Sequence, residues 1–282
     1  MKRVRKSAWA GRFYPGDAGS LREMVEGLLV AAPVEDEGRR LLGLVVPHAG
    51  YIYSGATAAA GYRLAAARSI DTVVVIAPSH GQYIRDVSLY TGDAYATPLG
   101  EIPVDAGLTS RLAATSPLLH LSEEGHSLAE GRPEHSLEVQ LPFLQSALKT
   151  GFKLVAAVFH DYDWEICRAL GEGLAAIYRE GMLIVASSDL YHGESCEACL
   201  RSDARTLAIL QKGDAEDFCR GHDRGEVQAC GAGPIAALLH AGERLGARAV
   251  RLLARTNSEE VTGERSGYVV GYAAAAVEWP EA

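Results

Sequence analysis

The sequence predicts an α/β fold: one domain over residues 1–282, with a central mixed, mostly parallel sheet flanked by helices. Three observations predict it. Apolar runs of strand length alternate along the chain with amphipathic stretches of helix length, the mark of a layered α/β architecture. Several runs, such as Leu41-Leu42-Gly43-Leu44-Val45-Val46, are apolar on both faces, as strands covered by helices on each side must be. The 48% apolar content over 282 residues can fill one large core, and no repeat or Pro/Gly/Ser linker divides the chain.

Taken in order, a first helix is expected over 20–31, where Ser20 suits an N-cap and Glu23 completes a capping-box pattern. Strand 41–46 leads to a helix over 54–67, with Ser54 as its expected cap. Strands 72–77 and 87–91 precede a helix over 105–114. Residues 122–134 are polar, acidic and aperiodic, and read as a long surface loop of the kind that often carries function. A helix over 137–149 contains Pro142, which must kink it or mark its true start. Strand 153–159, helix 162–179, strand 183–187 and helices 197–211 and 231–245 follow. Strands 250–255 and 268–275 close the chain.

Composition excludes several classes. A net charge of −9 does not suit a nucleic-acid surface, which needs a basic stripe. No apolar run approaches the length needed to span a bilayer, and the basic start 2–6 is not followed by a signal-peptide core. Five cysteines without framework spacing point to free thiols in a reducing, cytoplasmic setting.

The chemistry lies just beyond strand ends. Val46 runs into Pro47-His48-Ala49-Gly50-Tyr51, Ala77 into Pro78-Ser79-His80-Gly81, and Ala186 into Ser187-Ser188-Asp189-Leu190-Tyr191-His192. Ligands of open α/β sheets bind beyond the carboxyl ends of strands, so these histidines are expected to converge. Pro47 and Pro78 stiffen the turns that aim the imidazoles, and Gly50 and Gly81 permit tight reversal. Cys230 stands at the start of an apolar helix, where the macrodipole lowers a thiol pKa. That position suits a nucleophile or a metal ligand, and equally a small residue in a Gly-rich turn. His135 and Glu138, one helical turn apart, could share a face toward a pocket. His192, Cys196 and Cys199 offer a rival zinc or redox stripe, although no second C-x-x-C exists to complete a structural zinc site.

Together these segments resemble the Memo family, the Memo-like component of the AmmeMemoRadiSam group. The resemblance rests on Ala10-Gly11-Arg12-Phe13-Tyr14-Pro15, Pro47-His48-Ala49-Gly50-Tyr51, Pro78-Ser79-His80, Ala96-Thr97-Pro98-Leu99-Gly100, Glu134-His135-Ser136-Leu137-Glu138, Ser187-Ser188-Asp189, His192 and Cys230-Gly231. It implies a fold similar to class III extradiol dioxygenases, which use non-haem iron. It also implies one transition-metal ion held by His48, His80 and Cys230, with Asp189 and His192 beside it. Those dioxygenases have a carboxylate where this sequence has Cys230, and the softer thiolate shifts the preference toward copper, zinc or a differently tuned iron; iron or copper is expected first, with zinc next.

The leading expectation is a metal-dependent redox enzyme acting on a small-molecule or peptide ligand. His192 is its general base, Asp189 fixes the tautomer of a nearby imidazole, and His135, Glu138 and Tyr51 line the pocket. The alternatives are a binding module that uses the same pocket without turnover, and a metal-free hydrolase or transferase with Cys230 as nucleophile. The sequence leaves oligomeric state open.

Overall fold

The computed structural model describes residues 2–33, 35–128, 133–148, 150–265 and 267–281. The chain runs β1 (Val4–Arg5), α1 (Ala18–Ala31), β2 (Leu41–Val46), α2 (Tyr51–Ala65), β3 (Thr72–Pro78), β4 (Val87–Tyr90), β5 (Ala94–Thr97), β6 (Gly100–Pro103), α3 (Ala106–Ala113) and β7 (Leu119–Ser122). A 3-10 turn (Glu138–Gln140) leads into α4 (Leu141–Ala147), β8 (Lys153–Phe159), α5 (Trp164–Ile177), β9 (Met182–Ser187), β10 (His192–Gly193) and α6 (Cys196–Leu210). The remaining elements are α7 (Ala215–Asp223), α8 (Ala232–Leu245), β11 (Ala249–Asn257), α9 (Ser258–Thr262) and β12 (Val269–Glu278).

The main sheet has the order β10-β12-β2-β9-β3-β8-β4-β7, with β11 also paired to β12. Its centre, β2-β9-β3-β8, is wholly parallel, while β12 joins β2 and β4 joins β8 in antiparallel pairs. The domain is therefore mixed α/β, as expected. β1, β5 and β6 form a small separate sheet.

Alternation along each central strand sends side chains to two cores. On β3, Val74 and Ile76 pack with α5, α7 and α8, through residues such as Leu170, Phe218 and Leu238. Val73 and Val75 pack on the other face with α1, α2 and α4, through Val25, Tyr62 and Phe143. A strand buried on both faces gains from side chains at every position, so the apolar runs are continuous. Among the described residues, no helix is long and apolar enough to cross a membrane.

All seven expected strands and seven expected helices are present, with ends shifted by a few residues. Caps differ more. Asp17, not Ser20, caps α1, its carboxylate accepting from the Ser20 amide at 2.9 Å. α2 starts at Tyr51, and Ser54 lies inside it, its hydroxyl turned back to the Ala49 carbonyl. Pro142 sits in the first turn of α4, so it marks a start and not a kink. Residue 149 of the expected helix and 129–132 of the expected loop lie outside the described residues.

Candidate metal centre

The four parallel strands end on one edge of the sheet, and the chain beyond them builds the site. β2 delivers His48, β3 delivers His80, β9 delivers Asp189, and the turn before α8 delivers Cys230. That turn reaches the strands because residue 231 is glycine: a Cβ there would collide with the Ser187 carbonyl oxygen and the Ser188 side chain. The Gly231 amide instead donates to Ser188 Oγ at 2.9 Å, and the Cys230 amide to the Asp189 carbonyl at 3.1 Å.

Among the described residues, two groups bring potential ligand atoms within 4.8 Å of one another: His48, His80 and Cys230, and His80, Glu134 and His135. The rings of His48, His80 and His135 are mutually close, with centroids 5.1, 5.4 and 4.7 Å apart. His48 Nε2 lies 3.2 Å from Cys230 Sγ and 4.0 Å from Asp189 Oδ2.

Hydrogen bonding fixes which ring nitrogen is bare. The Ser187 hydroxyl has one proton, which it gives to the Ser136 carbonyl at 2.7 Å. It then accepts from Gln140 Nε2 at 2.7 Å, so its contact with His48 Nδ1 at 2.8 Å requires a proton on that nitrogen. Gln140 cannot be turned around, because its Nε2 also donates to the acceptor-only Pro47 carbonyl at 3.0 Å. His48 Nε2 is therefore left with its lone pair facing the thiol. His80 follows the same logic: Nδ1–H donates to Glu134 Oε1 at 3.0 Å, and its amide donates to Glu134 Oε2, which leaves Nε2 bare in the neutral ring. Such outer partners orient imidazole ligands in metal sites.

Electrostatics sharpen the picture. Burial, then the neighbouring His80, His135 and His192, hold His48 well below the ordinary imidazole range. Burial pushes Asp189 up to about 7, against the pull of the His48 and Ala49 amides. Burial also opposes ionisation of Glu134, but hydrogen bonds and charge from His80 and His135 overcome it and bring the carboxyl to about 2. Burial and then Asp189 drive the Cys230 thiol upward. The expected lowering by the helix dipole is overridden: Cys230 stands two residues before α8, half-buried at the cleft wall, and the cost of placing a charge there outweighs the dipole.

Two clefts flank the centre. One, of about 920 Å³, is lined by Ser79, His80, Tyr162 and Cys230, with Asp161 and Asp223 farther out. The other, of about 560 Å³, is lined by Phe13, Tyr53, His135, Asp189, His192 and Tyr268. His192 donates from Nδ1 to the Leu190 carbonyl at 3.0 Å, so its Nε2 is unprotonated while the ring is neutral. Burial lowers its pKa, which favours that neutral form.

Several expected roles need correction. Glu138 does not line a pocket mouth: it is fully buried and faces Arg5, the Ala8 and Trp9 amides and Tyr14. The 3-10 winding after His135 turns the two side chains apart. Tyr51 is also buried, donating to the Val139 carbonyl at 2.7 Å. Asp189 holds the His48 backbone amide at 2.7 Å and not a ring N–H, so Ser187 and Glu134 set the tautomers instead. Gly50 has φ −55 and needs no glycine-specific backbone freedom. Cys196 and Cys199 bond to Asn257 and Asp203, and neither joins a candidate metal group among the described residues. All five thiols are free. Glu134 was missed, although its place directly before His135 was visible in the sequence.

Comparisons with known proteins show the family and the fold of the chain. A profile of the Memo-like protein family matches residues 5–276. A MEMO1 family protein of Methanosarcina acetivorans is 36% identical over 278 residues, covering 98% of this chain and 99% of its own length. One from Nitrosopumilus maritimus is 33% identical over 276 residues, covering 96% and 98%. An uncharacterised Escherichia coli K12 protein of known crystal structure shares the fold, with TM-score 0.57 and 16% identity over 84% of this chain and 100% of that one. With the profile and these relatives spanning nearly its whole length, the chain belongs to the Memo family.

Proposed function

We propose that this chain is a metalloprotein that holds one transition-metal ion at His48, His80 and Cys230 and uses it in redox chemistry on a small-molecule or peptide ligand. The observation that carries this reading is the convergence, within 4.8 Å, of a thiol and two imidazoles. Each imidazole has Nδ1–H committed elsewhere, which leaves Nε2 as the donor. The set fits the group: two imidazoles and a soft thiolate suit copper, iron or zinc and disfavour hard cations. Copper or iron would supply a redox couple and Lewis acidity there, zinc Lewis acidity alone, and any of the three would keep Cys230 as thiolate.

The chain's own residues do the rest. Ser187 and Glu134 hold the two rings in the ligating tautomer. Asp189 fixes the His48 turn through the backbone. His192, neutral and facing the smaller cleft, takes a proton from a ligand bound against Phe13, Tyr53 and Tyr268. The dioxygenase-like character of the pocket belongs to this proposal. Metal content after anaerobic purification tests it, comparing wild type with His48→Ala and Cys230→Ser. Loss of metal in both variants is expected, and equal content in all three proteins refutes it.

One observation favours a second reading. Cys230 Sγ at 3.2 Å from His48 Nε2 is also the geometry of a thiol–imidazole dyad, as in a Cys-dependent transferase or hydrolase. Metal-free protein alkylated rapidly at Cys230 at mildly acidic pH would support it. Slow alkylation, as the buried thiol's raised pKa leads us to expect, counts against it.

A further inference from the structure

We infer that residues 5–14 form a strap that positions the metal centre, with Arg5 and Trp9 as its positioning residues although neither supplies a donor atom. The inference rests on the metal-site reading above and adds a part of the chain far from the ligands in sequence. Arg5 is buried, and its guanidinium is fully committed. Nε donates to the His126 carbonyl at 3.0 Å, Nη2 to the Glu134 carbonyl at 2.7 Å, and Nη1 to Glu138 Oε2 at 2.5 Å. One rigid fork thus ties both ends of the segment that carries Glu134 and His135. Glu138 in turn grips the strap, accepting from the Trp9 amide at 2.9 Å and the Tyr14 hydroxyl at 2.6 Å.

Trp9 closes the arrangement. Its indole N–H donates to the Pro133 carbonyl at 3.1 Å, next to Glu134. Its ring and that of Phe13 pack on His135, with centroids 5.5 and 4.7 Å away. The Phe13 carbonyl accepts from the Tyr51 amide at 2.7 Å, three residues past His48. The strap therefore bridges the His48 turn and the Glu134–His135 segment, which different parts of the chain deliver. Position passes from Arg5 to the Glu134 backbone, and from the Glu134 carboxylate to both the amide and Nδ1 of His80. A buried ion pair is not in itself a source of stability, since apolar residues often serve as well. What this one adds is three directed contacts that only a guanidinium can make at once.

The test is Arg5→Lys, which keeps a cation beside Glu138 but cannot reach three acceptors, together with Trp9→Phe, which keeps a ring beside His135 but removes the N–H. Leu174→Ala, in the opposite core, serves as a destabilised comparison. Cobalt(II) titration followed by thiolate-to-cobalt absorption should show about tenfold weaker binding and a shifted band in both strap variants, and neither change in Leu174→Ala. Isotope-labelled histidine spectra of the metal-free proteins should show the His80 and His135 signals moved in the strap variants, with His240 unmoved. If wild type fails to bind cobalt through sulfur, the metal reading falls, and the metal-free spectra still decide the positioning. Unchanged His80 and His135 signals in both strap variants would overturn it.

Discussion

Ser187→Ala should damage the centre without touching a ligand atom. The hydroxyl serves three buried partners: it donates to the Ser136 carbonyl and accepts from Gln140 Nε2 and His48 Nδ1. Gln140 keeps its bond to the Pro47 carbonyl, so the main losses fall on the Ser136 carbonyl and the His48 N–H. Each buried group left unpaired costs about 1–3 kcal/mol, which places the destabilisation at roughly 2–6 kcal/mol. A domain in the middle or upper part of the ordinary range of about 5–15 kcal/mol stays folded after that loss. The imidazole, no longer held as the Nδ1–H tautomer, can place its proton on Nε2 toward the Cys230 sulfur, and metal affinity should fall about 10–100-fold. Urea unfolding read by circular dichroism gives the first quantity, and cobalt(II) titration of the folded variant gives the second. A loss below about 1 kcal/mol with unchanged cobalt binding would refute the tautomer argument.

Glu134→Gln should weaken cobalt binding by about 10–100-fold with the fold intact, because an amide cannot accept from both the amide and ring N–H of His80; titration reads this. Gly231→Ala should abolish the sulfur-to-metal band and cost about 1–3 kcal/mol, since the added carbon meets the Ser187 carbonyl and displaces Cys230. His126 should govern part of the acid limb. Burial holds it at about 3, with Nε2–H donated to the Ser88 carbonyl and Nδ1 accepting from Tyr95. A folded pKa below the unfolded value gives stability that is full above about 6.5 and is lost as pH falls toward 3, worth roughly 4–5 kcal/mol. His126→Gln should flatten urea midpoints over that window, and an unchanged profile would dismiss the assignment. Chelation should leave the fold intact and lower stability only by mass action, about 2.7 kcal/mol when the free metal had been at a hundred times its dissociation constant; unfolding on chelation would contradict this.

How much of this was legible depended on local signals. Strands such as 72–78 are buried at every position and apolar from 73 onward because both faces are covered, so their runs stand out. β1, β5, β6, β7 and β10 are two to four residues long and carry too little periodicity to be seen. α7 hid because its helical stripe is mostly polar, with Phe218 and Cys219 its large buried contacts. At the site, His48 and His80 followed from strand ends, since a parallel sheet places such ends on one edge. Cys230 entered through family resemblance, because nothing local states that Gly231 lets its turn approach Ser187. Glu138 misled because helical spacing to His135 was assumed, whereas the 3-10 turn rotates it toward Arg5, more than 100 residues away in sequence. The role of Arg5 is invisible for the same reason: its partners meet only once the fold is complete.

These contacts explain how the centre can exist before any ion arrives. His48 is fixed by Ser187, His80 by Glu134, and Cys230 by its own amide donating to the Asp189 carbonyl and the next amide, of Gly231, donating to Ser188 Oγ. The two imidazoles are held by different side chains, while Asp189 ties the His48 turn to the Cys230 turn, since it accepts from the backbone amides of both. A site of this kind differs from a small zinc domain, in which metal binding and folding are one event. On the proposed reading its affinity would be set by preorganisation, and its ligand chemistry by the single sulfur. A carboxylate at position 230 would fit the same space electrostatically but would present a hard oxygen, whereas the thiolate favours softer ions and retunes their redox behaviour. The partial burial that raises the Cys230 thiol pKa also disfavours its thiolate in the absence of a metal. Thiolate and metal are therefore expected to appear together, so that the protonated thiol marks the empty centre and the thiolate the loaded one.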